Sequence, residues 1–187
     1  FDNDTMGDER VDYLRGDSTL EGTDTGDFRV RAGGFKLGDI VNSTPAYVGT
    51  PVALPDYLET PTHSSFRGSI TGRREMLYVG ANDGMLHGFD AATGVEKFAY
   101  VPSELHNSLA DLTSVTYPSN HKFFVDGASG FGDAYWGGAW RTVLVGTLGA
   151  GGKSVFALDV TDPNAMNASK VLWEFNGGAH ASKMGFI

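Results

Sequence analysis

Short apolar runs alternate with glycine-containing turns along much of the chain, and two stretches of it share one layout. The turns Asn82-Asp83-Gly84 and Ala92-Thr93-Gly94 separate the runs of the first stretch. Asparagine and glycine tolerate the positive φ of tight turns, so this arrangement predicts antiparallel hairpins. The runs lie at 77–80, 85–90 and 95–100 in the first stretch and at 143–146, 154–159 and 171–175 in the second.

A fourth apolar run precedes each set of three, at 44–48 and at 122–125. Four antiparallel strands in a meander form the repeating unit of a β-propeller, called a blade. We therefore predict an all-β fold, a partial β-propeller of about two four-stranded antiparallel blades, with long insertions at 49–74 and 127–140. The predicted ranges are a lead-in segment at 1–38, blades at 39–102 and 121–176, a connector at 103–120 and the start of a further blade at 177–187.

Local patterns add three expectations about packing. Ser103 precedes a short leucine-containing stretch, where serine is a typical N-cap of a helix. The lead-in segment is acidic and polar, so we expect it to pack loosely apart from one helical turn after Asp8-Glu9. Phe98 and Trp173 take matching places in the two blades, and we expect both rings to be largely buried between blades.

Composition narrows the range of partners. The 187 residues include 23 acidic and 14 basic ones, which gives a formal net charge of −9 and disfavours binding to nucleic acid phosphates. There is no cysteine, so disulfides and thiolate metal sites are excluded. No apolar run approaches the roughly 18 residues of a membrane-spanning helix. We expect no nucleic acid partner and no membrane span.

Two blades do not close a propeller ring, since propellers have roughly four to eight of them. The chain begins at Phe1, without an initiator methionine, and stops at Ile187 soon after a predicted strand. We therefore expect it to be a piece of a longer polypeptide, in which further blades or a partner cover the open sheet faces.

Several motifs in a fixed order carry a family resemblance. The spacing of glycine and aspartate over 80–94, with Phe98 after it, resembles the blade repeat of quinoprotein-type propellers. Longer segments resemble the C-terminal propeller of the type IV pilus tip adhesin and biogenesis family, the PilC/PilY group, from about Tyr13 to Gly185. The segments are LGDIVNSTP at 37–45, GANDGMLHGFD at 80–90, FVDG at 124–127, WRTVLVG at 140–146 and ALDVT at 157–161.

The resemblance implies a secreted, non-enzymatic factor at the type IV pilus tip, on the cell surface or in the outer membrane or periplasm of a Gram-negative bacterium. Such a factor supports pilus assembly, opposes retraction and attaches the cell to surfaces. The implied partners are minor pilins and a host-cell or abiotic surface receptor. Some members bind calcium in an aspartate-rich loop, expected here beyond 187, so calcium is compatible with the full-length protein while no cofactor is expected in this segment.

The acidic start of the chain is one candidate site. Asp2, Asp4 and Asp8 have a spacing that partly resembles a calcium-binding loop. Met6 stands at a ligand position, and Tyr13 stands where the bidentate glutamate belongs. A solvated acidic loop is therefore the favoured interpretation, with calcium as the alternative.

A second candidate is the tripeptide Arg15, Gly16 and Asp17, which spells the sequence that integrins bind through its guanidinium and its carboxylate. Three residues occur together often by chance. The resembling family often shows this tripeptide after a Tyr-Leu pair, as here, so a turn-stabilising role is favoured and receptor binding is the alternative.

Catalytic patterns are weak. The histidines lie far apart, without the spacing of a metal or catalytic pair, at His63, His87, His106, His121 and His180. Two alternative functions stay open. One is a quinone-cofactor dehydrogenase of the PQQ type, although many such enzymes use a vicinal cysteine pair that this chain lacks. The other is a plain scaffold propeller of the cell envelope.

Overall fold

The computed structural model describes residues 4–176, together with Gly178 and Gly185. Two four-stranded antiparallel sheets form its core, in the strand orders β1-β2-β3-β4 (sheet 1) and β5-β6-β7-β8 (sheet 2). Sheet 1 consists of β1 Ala46–Val48, β2 Met76–Gly80, β3 Leu86–Asp90 and β4 Glu96–Tyr100. Sheet 2 consists of β5 Gly130–Trp136, β6 Ala139–Thr147, β7 Val155–Asp159 and β8 Val171–Phe175. The predicted all-β fold with two four-stranded antiparallel blades is confirmed.

Among the described residues, the helices are short and lie outside the sheets, and the following bounds cover that part of the chain alone. The two α-helices are α1, Gly7–Leu14, and α2, His63–Ser69. The 3-10 helices are Ala32–Gly34, Ser103–Leu105, Leu109–Thr113, Tyr117–Ser119, Gly149–Gly151, Pro163–Ala165 and Ala168–Lys170. Within the described residues, no helix has both the length and the apolar character that crossing a bilayer requires.

The two sheets repeat one register. Leu86 pairs with Tyr100 in sheet 1, as Val155 pairs with Phe175 in sheet 2. Both sheets also have a register shift at the same place, after Gly88 and after Ala157. Each position of sheet 1 can therefore be matched to one position of sheet 2.

The core lies between the sheets. The Tyr100 ring of sheet 1 meets the Phe156 ring of sheet 2 at a centroid distance of 5.0 Å. A Cβ at Gly80 would collide with the carbonyl oxygen of Val125, so glycine is required for this close approach. Burying one large apolar side chain contributes about 1.5–3 kcal/mol. The fully buried apolar side chains include Tyr78, Phe124, Met76, Leu86, Leu144, Leu148 and Leu158.

The first strand of sheet 2 differs from the prediction. The run at 122–125 is not a strand, and β5 lies instead within the predicted insertion at 127–140. Phe124 and Val125 are each 1% exposed because they belong to the core, whereas Phe123 of the same run is 39% exposed. The Phe124 amide donates to the Asn82 side chain, and the Val125 amide donates to the Ala81 carbonyl.

The lead-in segment is not loosely packed, contrary to the prediction. Tyr13 and Phe28 are each 3% exposed, and their rings meet edge to face at 5.6 Å. The Arg29 amide donates to the Thr113 carbonyl, and the Arg29 guanidinium lies over the Tyr117 ring. The acidic composition concealed an aromatic and arginine cluster that fixes this segment to the connector.

Two further predictions need correction. Trp173 is 48% exposed, because the face of sheet 2 that carries it is uncovered, and Phe98 is only partly buried. Ser103 does not cap its 3-10 helix; its hydroxyl and its amide bond the Glu174 carboxylate of sheet 2 instead. The predicted start of a further blade at 177–187 lies almost wholly outside the described residues.

Candidate functional site

The tripeptide Arg15-Gly16-Asp17 forms the C-terminal cap of α1. The Gly16 amide donates to the Tyr13 carbonyl, and the Asp17 amide donates to the Asp12 carbonyl, each at 2.9 Å. This pair of bonds is a Schellman motif, in which the residue after the C-cap adopts a left-handed conformation. Gly16 has a φ of +107°, which a side chain would strain. The glycine is thus explained by the turn alone.

The two charged residues of the tripeptide differ in surroundings. The Asp17 carboxylate accepts bonds from the Thr19 hydroxyl and amide, each at 2.6 Å, and these bonds lower the pKa of Asp17. The Asp17 carbonyl accepts a bond from the buried guanidinium of Arg31. The Arg15 side chain is exposed. The turn is therefore held by several hydrogen bonds, and its aspartate is already engaged.

The calcium candidates are not brought together as a ligand set in the part of the chain that the structure describes. Asp2 lies outside the described residues. The Asp4 carboxylate bonds the Met6 amide at 3.0 Å and the Arg10 guanidinium at 2.6 Å. Asp8 is exposed in the first turn of α1. Among the described residues, no group of three or more acidic or histidine side chains could hold a metal ion.

A groove of about 440 Å³ separates the end of α1 from sheet 1. Its walls are the capping turn on one side and strands β3 and β4 on the other. The lining includes Leu14, Arg15, Gly16, Lys36, Leu37, His87, Phe89, Glu96, Lys97 and Ala99. The tripeptide is thus part of a concave surface and does not project freely.

A histidine between two carboxylates lies in this groove. His87 Nε2 is 3.0 Å from Asp83 Oδ1, and His87 Nδ1 is 2.6 Å from Glu96 Oε1. Burial alone would lower the pKa of His87, but the two carboxylates outweigh it and raise that pKa above its ordinary value. Both ring nitrogens donate only in the imidazolium form, so the geometry favours the charged histidine.

The two predicted insertions meet on one side of the molecule. His63, at the start of α2, is fully buried and places Nε2 2.8 Å from Asp133 Oδ2 on β5. The Tyr135 hydroxyl donates to the Thr60 carbonyl at 2.8 Å, and Trp140 Nε1 donates to the Pro61 carbonyl at 3.0 Å. The insertion at 49–74 and the β5–β6 hairpin therefore form one composite unit.

This unit exposes large apolar side chains. Leu58 is 100% exposed, Val52 82% and Tyr57 71%. The Asp56 carboxylate bonds the Ser64 amide at 2.9 Å and so attaches the loop to α2. We call the exposed side chains of Val52, Tyr57 and Leu58 in this insertion the insertion surface.

Sequence reasoning missed the partners of the histidines. His63 and His87 each bond a carboxylate that pairing of strands or folding of an insertion brings near, and sequence spacing alone does not reveal such pairs. One signal was available for His87, because Asp83 stands four residues before it within the predicted hairpin turn.

Comparisons with known proteins agree on one family. A family model described as the PilY1 beta-propeller domain matches residues 37–183. The chain is 45% identical over 179 residues to the type IV pilus biogenesis factor PilY1 of Pseudomonas aeruginosa strain UCBPP-PA14, covering 92% of this chain. It is 49% identical over 177 residues to the PilY1 of strain PAK, covering 91%. A PilY1 homolog of Xylella fastidiosa is 44% identical over 171 residues, covering 89%.

A solved structure shares the fold. The crystal structure of the Pseudomonas aeruginosa PilY1 C-terminal domain matches with a TM-score of 0.54 and 44% identity, over 71% of this chain and 25% of that one. The chain spans about 14% of the length of the three relatives named above. The match by the family model and the identity to these relatives lead to one conclusion: this chain belongs to the PilY1 β-propeller family.

Proposed function

We propose that this chain is a segment of a type IV pilus biogenesis factor that supports pilus assembly and surface attachment. The observation that carries the proposal is an identity of 45–49%, over nine tenths of the chain, to proteins named as such factors. The corresponding location is the pilus and cell surface of a Gram-negative bacterium, and the corresponding partners are minor pilins and a host-cell or abiotic receptor. The dehydrogenase and plain-scaffold alternatives have no comparable support.

A complementation experiment tests this role. A strain that lacks the whole gene is rescued with the full-length gene or with a version that lacks residues 37–183. We expect the shortened version to restore neither surface pili nor attached cells. Normal piliation and attachment with the shortened version would contradict the proposal.

We further propose that the protein acts without turning over a substrate. Its relatives are named for pilus biogenesis and not for a reaction. Purified full-length protein is assayed for quinone-dependent dye reduction, with a known quinoprotein as the positive control. We expect no reduction above the buffer rate, and clear turnover would favour the dehydrogenase alternative.

The insertion surface is the proposed contact with the receptor, because it combines exposed apolar side chains with a fixed backbone. Val52→Asp places a charge in it, and Val115→Asp places the same charge at another exposed valine, 55% exposed, outside this surface. We expect Val52→Asp to lower attachment several-fold at an unchanged pilus count, while Val115→Asp has no effect. Equal effects of both variants would contradict this assignment.

Receptor binding by Arg15, Gly16 and Asp17 stays a prediction. Because the backbone of Arg15 makes the cap, we expect Arg15→Ala to leave attachment to both host cells and plastic unchanged. A loss confined to host cells that carry integrins would instead support receptor binding by the tripeptide.

Calcium also stays a prediction, both for the full-length protein and for Asp2, Asp4 and Asp8. We favour a solvated loop here, since the Arg10 guanidinium already pairs with Asp4. Calorimetric titration of calcium compares the full-length protein with its Asp4→Asn/Asp8→Asn variant. Equal heats support the solvated loop, and a lost binding event supports calcium.

A further inference from the structure

We infer that a cavity between the lead-in segment and the turn of the β2–β3 hairpin binds a carboxylate group, with the Arg29 guanidinium as its main contact. We call it the lead-in cavity; its volume is about 190 Å³. The side chains used in the argument are Arg29, Phe35, Lys36, Asp39, Asp83 and Tyr117, which all line it. The inference rests on the packing of the lead-in segment and not on the proposed function, so either can fail alone.

Arg29 is fixed in place and still has donors to offer. Its amide donates to the Thr113 carbonyl at 2.9 Å, and its Nε donates to the Leu112 carbonyl at 3.1 Å. Its guanidinium carbon lies 4.9 Å from the centre of the Tyr117 ring. A guanidinium carries five N–H donors in a rigid fork, and the Nε donor is one of them. The other four make no hydrogen bond within the part of the chain that the structure describes.

The charges around Arg29 leave it without a counter-ion. Arg31, on the same cavity, pairs with Glu21 at 2.5 Å, whereas no ion pair joins Arg29 to a carboxylate among the described residues. Lys36 Nζ lies 3.4 Å from the same Glu21 carboxylate, and its side chain is 40% exposed. The cavity thus has one unpaired and one weakly paired cation, although the chain as a whole has a net charge of −9.

Two carboxylates of the chain also line the cavity, and both are engaged by other groups. Asp39 accepts from Asn82 Nδ2 at 2.8 Å, and His121 Nε2 lies 3.0 Å from it. Asp83 accepts from the Gly38 amide at 2.7 Å. Neither carboxylate pairs with Arg29, but both repel a ligand in proportion to its negative charge. The cavity therefore favours a singly charged anion over a doubly charged phosphate.

Shape and size indicate a carboxylate. Two parallel N–H groups of a guanidinium match the two oxygens of a planar carboxylate. A volume of about 190 Å³ equals about six water molecules at roughly 30 Å³ each, and it is below the roughly 300 Å³ of sites that take drug-sized molecules. The cavity thus takes one acidic group on a short stem. Phe35, 77% exposed, offers an apolar surface for that stem.

Two sources present this chemistry, an aspartate or glutamate side chain of a partner protein and a free small acid. Both place the same carboxylate on the same guanidinium. The experiment below therefore tests the carboxylate site first and then separates the two sources.

Ligand-observed fluorine NMR with the full-length protein tests the inference. The probe is para-fluorobenzoate, and its neutral amide, para-fluorobenzamide, is the matched control ligand. We expect the wild type to broaden the signal of the acid and to leave that of the amide unchanged. Arg29→Gln should raise the dissociation constant of the acid at least about tenfold, since it removes the charged fork.

Arg141→Gln is the matched control variant. The Arg141 guanidinium also lies over an aromatic ring, that of Trp136 at 4.3 Å, and it donates to the Trp136 carbonyl at 3.0 Å. It does not line the lead-in cavity. We expect Arg141→Gln to bind para-fluorobenzoate as the wild type does. Equal dissociation constants for Arg29→Gln and the wild type, or no broadening by the wild type, would overturn the inference.

Two further variants keep the test decisive if Arg29→Gln fails to fold, which its melting temperature reports. Arg29→Lys keeps the charge and loses the fork, and we expect it to weaken binding several-fold. Lys36→Gln removes the exposed second cation and should weaken binding about threefold. Binding unchanged in both variants would contradict the site.

Competition against para-fluorobenzoate separates the sources. Displacement by a blocked Ala-Glu-Ala tripeptide, but not by its Ala-Gln-Ala counterpart, identifies an acidic side chain as the natural group. Displacement by acetate without displacement by the glutamate peptide identifies a free acid. Inorganic phosphate is added at about pH 8, where a phosphate group is doubly charged. Phosphate that displaces the probe as well as acetate does would contradict the assignment of a carboxylate.

Discussion

His87 occupies the position in sheet 1 that Phe156 occupies in sheet 2. Because histidine can be protonated and phenylalanine cannot, the stability of this face of sheet 1 depends on pH. Three carboxylate oxygens lie within 3.1 Å of its ring nitrogens, from Asp83 and Glu96. Arg15 and Lys36 of the lead-in segment line the same groove. A neutral imidazole donates through one nitrogen only, so its other nitrogen would face a carboxylate without a proton between them.

The pH dependence of stability follows from the raised pKa of His87. The stabilisation is fully present below the ordinary histidine pKa of about 6.5 and is lost as the pH rises through the higher pKa of the folded state. We expect the melting temperature of the wild type to exceed that of His87→Gln below about pH 6.5, and the difference to shrink as the pH rises further. Thermal melts at a series of pH values measure this.

His121→Gln is the control for that series, because His121 pairs with Asp39 at an exposed site, where ion pairs contribute little. We expect its melting temperature to follow the wild type at each pH. A difference between wild type and His87→Gln that stays constant across the series would show that the carboxylates do not hold His87 charged.

The helix cap requires glycine at position 16, and this requirement can be tested without any receptor. Gly16→Ala forces a side chain into a left-handed conformation, and we expect it to lower the free energy of unfolding by about 1–2 kcal/mol. Gly68→Ala, in α2 with open space around its Cβ, has the opposite expectation, a gain of up to about 1 kcal/mol. Denaturant unfolding of the two variants in the full-length protein distinguishes them, and a neutral Gly16→Ala would contradict the capping role.

At the scale of elements, α2 and its loop depend on a polar contact with the β5–β6 hairpin. Asp133 accepts from His63 through one oxygen and from the Thr142 hydroxyl through the other, at 2.7 Å. The Arg73 guanidinium donates to the same hydroxyl, also at 2.7 Å. His63 Nδ1 accepts from the Leu54 amide at 3.3 Å, which leaves Nε2 as the donor to Asp133. The insertion is thus fixed by one connected network.

Asp133→Ala removes the centre of this network and leaves buried donors unpaired. We expect a loss of about 1–3 kcal/mol in the free energy of unfolding and faster proteolytic cleavage within 49–74. Asp24→Ala changes an exposed aspartate in the lead-in segment and is expected to do neither. Limited proteolysis followed by mass spectrometry reads out the site of cleavage; unchanged cleavage within 49–74 would show that the loop holds its place without Asp133.

The sequence predicted strands correctly where local turn signals agree with the observed strand pairing. It predicted them wrongly where tertiary contacts override the local preference of the residues. The β3–β4 hairpin was predicted correctly, because Gly94 supplies the positive φ of its turn, +71°. Strand β5 was missed, since Gly130, Gly132 and Asp133 are poor strand formers, and its pairing with β6 overrides that preference. The apolar run at 122–125 resembled a strand because Phe124 and Val125 are core residues, but no strand pairs with it.

At the candidate site, the local turn was predictable, whereas the groove beside it depends on tertiary contacts. The cap role of the tripeptide follows from a helix that ends before a glycine, a signal that the sequence contains. The groove beside Arg15 could not be predicted, because Lys36 and His87 reach it from segments whose relative placement depends on the lead-in packing. Arg10 and Arg29 set that packing through contacts with Thr113 and Leu112, more than 80 residues away in sequence.

At the scale of the whole molecule, sheet 2 presents an uncovered face. Trp173 and Phe175, 48% and 53% exposed, occupy the positions that Phe98 and Tyr100 occupy on the covered face of sheet 1. Val145 and Trp136 line a groove of about 700 Å³ beside Trp173. By this equivalence, we expect a further blade to cover the Trp173 face.

The variant Trp173→Ala tests, in the full-length protein, whether a further blade buries Trp173. We expect it to cost about 3–5 kcal/mol, as truncation of a buried tryptophan does. Phe35→Ala removes an aromatic ring from the lead-in segment, where it is 77% exposed, and should cost far less. Similar losses in the two variants would show that the next blade does not seat on Trp173.

The capping role of Gly16 also has a consequence for inhibitors. A short linear peptide that carries Arg-Gly-Asp lacks the α1 carbonyls of Asp12 and Tyr13 that hold the turn, and it also lacks the Arg31 guanidinium that bonds the Asp17 carbonyl. In solution such a peptide samples many conformations. It is therefore a poor mimic of this turn, and peptide competition cannot decide whether the turn is adhesive. A constrained peptide spanning residues 7–31, which includes α1, the turn and Arg31, would be the appropriate competitor.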